Sequence, residues 1–232
     1  MTKDGVDGKA FHTLTRTCDR PFDEMFMKMM DETAVYMCKN VQGAQFAFVQ
    51  SDEISILVTD FDKCTTDAWF DYNVQKMCSI GASLATAKFN SQYRESPNCI
   101  GMANFDCRVF VVPDPVEVEN YFIWRQQDAS RNSIQMVARS YYSHKELMNK
   151  TTPELHEMIH AEGDNWDNYP IGCKRGRLVV YDSTLVVVDP DVHASELVYV
   201  NQTRPIGWKV IEPAIFTQFR ELLTELIPKH GY

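Results

Sequence analysis

The sequence lacks the long apolar runs that mark membrane and secreted proteins. No stretch approaches the ~20 apolar residues that a helix needs to span a bilayer. The first ten residues, MTKDGVDGKA, contain no apolar signal-peptide core. We therefore expect a cytoplasmic location.

The sequence also lacks the cysteine spacings of zinc and disulfide proteins. Its 7 cysteines are odd in number and never spaced C-x-x-C, which argues against both kinds of site. We expect all of them to be reduced: Cys18, Cys38, Cys64, Cys78, Cys99, Cys107 and Cys173.

Positive charge is scarce as well. The 232 residues include 32 acidic and 23 basic side chains, which gives a net charge of −9. Such a balance argues against a protein that coats nucleic acid non-specifically, although it allows a local basic path. The length suits one large domain, or a domain with a substantial extension.

Two adjacent acids stand at the bend of a predicted β-hairpin. The segment from Gln45 to Asp60 holds two short runs of aromatic and β-branched residues, which are typical of strands, and Ser51, Asp52 and Glu53 lie between them. Taken alone, the acids are explained by a solvated turn, because Asp favours turns. A second carboxylate nearby would favour an active site.

Asp7 supplies that second carboxylate. The elements predicted after it give the βαββαβ order of a ferredoxin-like polymerase palm, in the α+β class. They are a helix over 21–41, the hairpin, a helix over 68–93 and a strand over 105–112. A β-α-β crossover makes its two strands parallel, so Asp7 and Asp52 should meet at one edge of the sheet.

The chemistry of this edge suits magnesium. Two carboxylates together with the backbone carbonyl of Gly8 offer the oxygen ligands that Mg²⁺ prefers. Two such ions ~4 Å apart can clamp both sides of an in-line phosphoryl displacement.

The strand that should lead to Asp7 is poorly represented. Residues Met1 to Val6 are too few and too polar for a convincing strand. Because the first strand is central in a βαββαβ sheet, its loss would leave backbone groups of its neighbours unpaired. We expect either a truncated chain or an aberrant copy, with weak activity at best.

The second half of the chain predicts a helical extension with a second hairpin. Asp114 is expected to cap a helix that runs through Asp128, and Ser130 to cap a following helix over 131–141. Thr151 and Glu154 predict the capping box of a third helix, which closes near Gly163. Pro213 is expected to start the last helix. The hairpin joins 177–182 to 184–189. We therefore divide the chain into a palm core, 1–112, and an extension, 113–232, packed on it as one structural unit.

Basic residues concentrate in two places. The loop over 11–20 contains His12, Arg16 and Arg20, which together with backbone amides could hold phosphates; an ordinary basic loop is the alternative. The densest basic cluster is formed by Lys174, Arg175 and Arg177.

Several segments in a fixed order carry a resemblance to a known family. They are DGKAFH, QSDEIS, FDYNVQKMCS, YFIWRQQDASRNSIQ, SHKEL, and NWDNYP followed by KRGR. The chain thereby resembles the tRNA-histidine guanylyltransferase superfamily, which adds nucleotides to the 5′ end of tRNA. Residues Ser130 to Met136 depart from the eukaryotic pattern His-Ile-Asn-Asn-Leu-Tyr-Asn and resemble the bacterial and phage branch, which repairs 5′-truncated tRNA. Gly5 is a second departure, since family members have Arg there.

The resemblance implies a reaction, its cofactors and its partners. ATP would adenylylate the 5′-monophosphate of a tRNA, and the 3′-hydroxyl of GTP or another template-paired nucleoside triphosphate would then displace AMP. Two Mg²⁺ ions and a homo-oligomer, a tetramer by analogy, are also implied. Catalytic roles fall to Asp7, Asp52 and Glu53, with metal ligands from Asp7, the Gly8 carbonyl and Asp52.

Two further sets of residues are expected to bind substrates. By resemblance, the nucleotide contacts are Lys9, Ala10, Phe11, His12, Arg20, Asp23 and Ser51. RNA contacts are expected on charge alone at Arg131, Lys145, Lys174, Arg175 and Arg177, and by resemblance at Asn132 and Asn165. Two alternatives stay open: a nucleotide cyclase, which shares the palm but lacks the WRQQD, SHKEL and NWDNYP segments, and an inactive RNA-binding paralogue.

Overall fold

A six-stranded antiparallel β-sheet forms the centre of the fold in the computed structural model, which describes residues 2–61, 66–97, 99–181, 186–187, 198–199 and 207–228. The strands are β1 (Thr2–Gly8), β2 (Ala44–Gln50), β3 (Glu53–Val58), β4 (Phe105–Val111), β5 (Arg177–Tyr181), β6 (Val186–Val187), β7 (Val198–Tyr199) and β8 (Trp208–Ile211). The large sheet has the order β4-β1-β3-β2-β5-β8, and β6 pairs separately with β7.

Helices cover both faces of this sheet. They are α1 (Phe11–Leu14), α2 (Glu24–Asn40), α3 (Val74–Tyr93), α4 (Pro115–Tyr141), α5 (His144–Leu147), α6 (Thr152–Ala161), α7 (Ile171–Arg175) and α8 (Arg220–Leu226), with 3₁₀ turns at Thr15–Thr17, Trp69–Tyr72 and Trp166–Asn168. Within the described ranges, none of the helices has the length and apolar character needed to cross a membrane.

The first four strands confirm the predicted βαββαβ order and the α+β class. Strand β3 pairs antiparallel with both β1 and β2, and β4 pairs antiparallel with β1 on the other side. The core lies on both faces because strand residues alternate: Ile54 and Ile56 pack with α2 and α3, whereas Leu57 packs with Phe122 of α4.

The expectation of a missing first strand is wrong. Residues Thr2 to Gly8 form β1, which pairs along its length with β3 on one side and β4 on the other. The two ladders satisfy the backbone groups of β1, and Val6, with 1% of its surface exposed, anchors the strand in the core. The central strand is therefore present, and its expected absence no longer supports the interpretation of the chain as an aberrant copy.

Three expectations for the second half are also corrected. Helix α4 is continuous through Ser130, whose hydroxyl donates a hydrogen bond to the Gln126 carbonyl at 3.1 Å and does not cap a new helix. Strand β5 pairs with β2 and β8, and Val186–Val187 of the expected hairpin pairs with β7 instead, while the rest of 182–189 lies outside the described residues. The last helix begins at Arg220 and not at Pro213.

Other features of the extension agree with the sequence. The Asp114 carboxylate caps α4 by accepting from the Val116 amide at 2.9 Å. Thr151 and Glu154 form the expected capping box of α6. The division of the chain at residue 112 stays a prediction, and the large sheet continues across it through β5 and β8.

Candidate active site

The two predicted carboxylates lie where β1 ends and where β2 turns into β3. Asp7 stands opposite Glu53 in the β1–β3 register, and the Gly8 amide donates to the Asp52 carbonyl at 3.1 Å. Burial raises the pKa of the Asp52 carboxyl, and the charge of Asp7 raises it further, against opposing hydrogen bonds from backbone and Ser51. The expected meeting of Asp7 and Asp52 at one sheet edge is thus what the structure has.

Gly8 allows the chain to turn over this edge. A Cβ atom on Gly8 would lie 2.4 Å from Cδ2 of Phe11, so any side chain would displace that ring. The Phe11 ring is itself core, packed 5.0 Å from Phe105 and 5.5 Å from Phe89 between ring centroids. Phe11 can therefore offer a nucleotide only its backbone.

A cleft of about 600 Å³ opens between the bend and the loop after β1. It brings together most of the predicted nucleotide and metal positions: Gly8, Ala10, Phe11, His12, Arg20, Asp23, Ser51 and Asp52. Lys9 does not line it, and the Lys9 amide donates to the Asn104 carbonyl at 2.8 Å.

The cleft also has a basic rim. Arg20, Arg16 and Arg139 line it and are exposed, and in the described part of the chain none of the three has a carboxylate within ion-pair distance. Arg139 was missed as a site residue by the sequence reasoning. Its four-residue spacing from Gln135 and Arg131 on one helix face was the available signal.

The Asp23 carboxylate has a structural role as the N-terminal cap of α2. Its Oδ1 accepts from the Phe26 amide at 2.7 Å and its Oδ2 accepts from the Asp19 amide at 3.0 Å, so the buried carboxylate caps α2. The same residue borders the cleft, where its association with the bound base stays a prediction.

Glu53 is held by a cation that sequence reasoning did not single out. Arg125 of α4 forms an ion pair with the Glu53 carboxylate, and the Gln50 amide group donates to Glu53 Oε2 at 2.7 Å. Arg125 Nη1 lies 3.7 Å from Oδ2 of Asp128. Burial lowers the pKa of the Arg125 guanidinium, and the charges of Asp128 and Asp7 oppose that change. Glu53 therefore fits a supporting role beside Asp7 better than that of an exchangeable ligand.

The structure corrects two of the expected RNA contacts. Lys174 is 7% exposed, and its Nζ donates to the Asp167 carbonyl at 2.6 Å. Arg177 is 6% exposed, and its Nε donates to Asp31 Oδ1 at 2.6 Å. Both cations are buried and hydrogen-bonded to protein oxygens, so neither can contact an RNA phosphate at the surface.

The other RNA candidates are more accessible. Arg131 and Lys145 are exposed, and Arg175 is half-buried against Trp166. Asn132 is exposed and donates to Asp128 Oδ2 at 3.2 Å. Asn165 is half-buried, and its side chain caps the 3₁₀ turn that follows by accepting from the Asp167 amide at 2.9 Å.

Known proteins resemble this chain over most of its length. The profile of the tRNAHis guanylyltransferase family matches residues 5–113. A solved bacterial tRNA(His) guanylyltransferase-like protein in complex with ATP is 38% identical, with a TM-score of 0.83 over 97% of this chain and 89% of that one. The structure of such a protein in complex with GTP is 36% identical, with a TM-score of 0.75 over 97% and 88%. The tRNA(His) guanylyltransferase of Debaryomyces hansenii is 27% identical over 199 residues, which cover 77% of this chain and 73% of the relative.

Proposed function

Because this chain belongs to the tRNAHis guanylyltransferase family of nucleotidyltransferases, we propose that it adds nucleotides to the 5′ end of a tRNA in the 3′-to-5′ direction. One observation carries the proposal: Asp7 and Asp52 meet at one sheet edge beside a cleft with a basic rim. The solved relatives that carry ATP and GTP support a nucleotide as the occupant of the cleft.

The donor set at this edge fits magnesium. In the described residues no three side chains of His, Cys, Asp or Glu converge on a common point. The proposed ligands are accordingly the carboxylates of Asp7 and Asp52 with the backbone carbonyl of Gly8, all hard oxygen donors. The raised pKa of Asp52 favours this interpretation, since a cation would offset the burial and repulsion that raise it. Two Mg²⁺ ions, when bound, would neutralise charge on the transferring phosphoryl group.

The chain's own residues position the substrates. Arg16, Arg20 and Arg139 on the rim would hold the triphosphate, while the Ser51–Asp52 bend would face its sugar and α-phosphate. The 5′-phosphate of the RNA would first attack the α-phosphorus of ATP and release pyrophosphate, and the 3′-hydroxyl of a paired nucleotide would then displace AMP from the activated phosphate. Positioning and charge neutralisation carry most of the catalysis of such transfers, so no Ser or Cys nucleophile is required.

The test is a nucleotide-addition assay. The purified protein is incubated with a tRNA that lacks its first nucleotide and carries a 5′-monophosphate, together with ATP, GTP and Mg²⁺, and the RNA is sized at single-nucleotide resolution. We expect a product one nucleotide longer, dependent on ATP, whose added base changes with the opposite template base. Absence of extension would contradict the proposal. Formation of a cyclic nucleotide without RNA would favour a cyclase instead. A cytoplasmic location and a tetramer stay predictions.

A further inference from the structure

The Asp128 carboxylate of α4 is shared by four donors. On one side, Asn132 Nδ2 donates to Oδ2 at 3.2 Å, and Arg131 Nη2 lies 3.3 Å from Oδ1. On the other side, Arg125 Nη1 lies 3.7 Å from Oδ2, and Gln50 Nε2 donates to the same oxygen at 3.5 Å. The donors that belong to α4 are three or four residues from Asp128, which places them on one face of the helix. The carboxylate therefore joins the bend of the sheet to the surface of α4.

Two of these donors are buried, and both also contact Glu53. Arg125 is 8% exposed and forms an ion pair with the Glu53 carboxylate. Gln50 is 4% exposed and donates to Glu53 Oε2 at 2.7 Å. Glu53 stands opposite Asp7 in the β1–β3 register. Glu53 and Asp128 thus compete for the same cation and the same amide group at the proposed catalytic edge.

The two buried donors are incompletely bonded. Within the described residues, Gln50 Oε1 and Arg125 Nε have no hydrogen-bond partner. Their contacts with Asp128, at 3.5 and 3.7 Å, are longer than the ~2.9 Å of an ordinary hydrogen bond. A cavity of about 60 Å³ adjoins Gln50 and Asn132 and gives the amide group space to shift. A small displacement towards either carboxylate therefore breaks few existing bonds.

The other two donors face solvent. Arg131 has 55% of its side chain exposed, and Asn132 is exposed as well. Both are expected RNA contacts. An exposed ion pair contributes little to stability, so an RNA phosphate can readily take the Arg131 guanidinium from Asp128. The Asp128 charge would then be neutralised chiefly by Arg125 and Gln50.

We propose that Asp128 is a positioning residue that couples RNA contact on the surface of α4 to the Glu53 carboxylate beside Asp7. When RNA takes up the two exposed donors, the two buried donors shift towards Asp128 and neutralise Glu53 less. The negative potential at the sheet edge rises, which favours a cation there. This inference rests on the proposed function, and it makes full activity depend on bound RNA, so that a nucleotide alone meets a less effective site.

The kinetic experiment separates RNA binding from the reaction. One-nucleotide extension of a 5′-truncated, 5′-monophosphorylated tRNA with ATP, GTP and Mg²⁺ is measured for the parent, Asp128→Asn and the control Glu117→Gln. The control removes the same charge from an exposed residue of the same helix. We expect Asp128→Asn to lower kcat by about 5- to 150-fold, the range typical of coupling between two sites, and to change the Kd for tRNA by less than about threefold. The control should differ from the parent by less than about twofold in both quantities, because solvent screens its charge.

Trp124 provides a readout without catalysis. The Arg125 guanidinium carbon lies 4.9 Å from the Trp124 ring, so a shift of Arg125 changes the surroundings of this exposed indole. The Trp124 emission is isolated as the difference between each protein and its own Trp124→Phe version. A 5′-hydroxyl tRNA, which has no phosphate to activate, should change this emission in the parent. Asp128→Asn should remove most of that change.

A second variant imitates the RNA-bound state. Arg131→Ala/Asn132→Ala takes both exposed donors from Asp128, so its Trp124 emission without RNA should shift in the direction that tRNA produces in the parent. Its Kd for tRNA should rise, while kcat at saturating tRNA should stay within about threefold of the parent. Melting temperatures check the fold, and because both substituted residues are exposed, this variant keeps the inference testable if Asp128→Asn fails to fold.

Three results would overturn the inference while the proposed function stands. They are an unchanged kcat for Asp128→Asn, an equal loss for Glu117→Gln, and a Trp124 emission that responds to tRNA equally in the parent and Asp128→Asn. If Asp128→Asn does not fold, an unshifted Trp124 emission in free Arg131→Ala/Asn132→Ala overturns it. A parent that extends no RNA would overturn the proposed function, and this inference with it.

Discussion

The ionised carboxylate of Asp52, a proposed metal ligand, destabilises the folded protein. Its pKa is raised above the ordinary value of 3.8, first by burial and then by the charge of Asp7. A folded-state pKa above the unfolded value means that the folded protein binds the proton more tightly. The contribution of Asp52 to stability is therefore most favourable at low pH and is lost as pH rises through the raised pKa. At neutral pH the ionised carboxylate destabilises the metal-free fold.

We accordingly predict that Asp52→Asn raises the melting temperature at pH 7 in the presence of EDTA. About 2 to 4 °C would correspond to 1 kcal/mol in a chain of this size. The gain should shrink toward pH 4, where the parent carboxyl becomes protonated. Thermal unfolding across this pH range measures it, with the exposed Asp67→Asn as the matched control. A lower melting temperature for Asp52→Asn at pH 7 would mean that the carboxylate stabilises the fold.

At the scale of elements, a buried ion pair ties β5 to α2. Arg177 Nε contacts Asp31 Oδ1 at 2.6 Å, with 8% and 17% of the two side chains exposed. Burial still raises the pKa of Asp31 in spite of the lowering effect of Arg177. The desolvation of Asp31 therefore outweighs the attraction between the pair. Such a pair adds little net stability, but either partner left alone is costly.

Arg177→Met should therefore destabilise the fold by about 3 to 5 kcal/mol, because it leaves Asp31 buried without its cation. The double variant Asp31→Leu/Arg177→Met should recover most of that loss, since it removes both charges. Urea unfolding of the parent, Arg177→Met, Asp31→Leu and the double variant measures the four free energies. The control Arg175→Met, at a half-buried neighbour, should cost less than about 1 kcal/mol. If Arg177→Met unfolds like the parent, the pair has no structural role.

The elements also indicate how far the sequence could predict the fold. The palm strands β2, β3 and β4 follow from their apolar patterns, and the meeting of Asp7 with Asp52 follows from the parallel direction of β1 and β2. Strand β1 was missed because its pairing with two neighbours, not its composition, makes it a strand.

The remaining errors have the same origin in long-range contacts. The polar stretch around Ser130 predicts a helix break, yet α4 runs without interruption from Pro115 to Tyr141, and its buried Ser133 accepts from the distant Trp166 indole at 3.0 Å. Lys174 and Arg177 were assigned to RNA on charge alone. Their partners, Asp167 and Asp31, lie 7 and 146 residues away, and the more distant one cannot be inferred from local patterns.

At the scale of the whole molecule, the net charge of −9 requires any RNA path to be local. Without Lys174 and Arg177, the expected contacts that remain are the exposed Arg131 and Lys145 and the half-buried Arg175. They belong to α4, α5 and α7, which follow the palm strands in the chain.

We predict that changing Arg131, Lys145 and Arg175 together to alanine weakens tRNA binding. The slope of log affinity against log salt should fall by ~0.7 to 0.9 for each phosphate that the variant no longer neutralises. Affinity for GTP alone should change little. The control with equal charge loss replaces Lys28, Lys39 and Lys76, exposed residues of α2 and α3, which pack against the opposite face of the sheet from α4. Equal salt slopes in the parent and the first triple variant would locate the RNA path elsewhere.

The most direct test of the two-carboxylate active site is the initial rate of one-nucleotide extension of a 5′-monophosphorylated, 5′-truncated tRNA with ATP, GTP and Mg²⁺. We predict that the parent and the control Asp67→Asn extend the RNA at similar rates. Asp7→Asn and Asp52→Asn should stay folded and lose at least about 100-fold in rate. Each substitution removes the negative charge of a proposed metal ligand, which the neighbouring residues position but cannot replace. Folded Asp7→Asn and Asp52→Asn variants that both extend the RNA within about tenfold of the parent rate would contradict the assignment of this sheet edge as the catalytic centre.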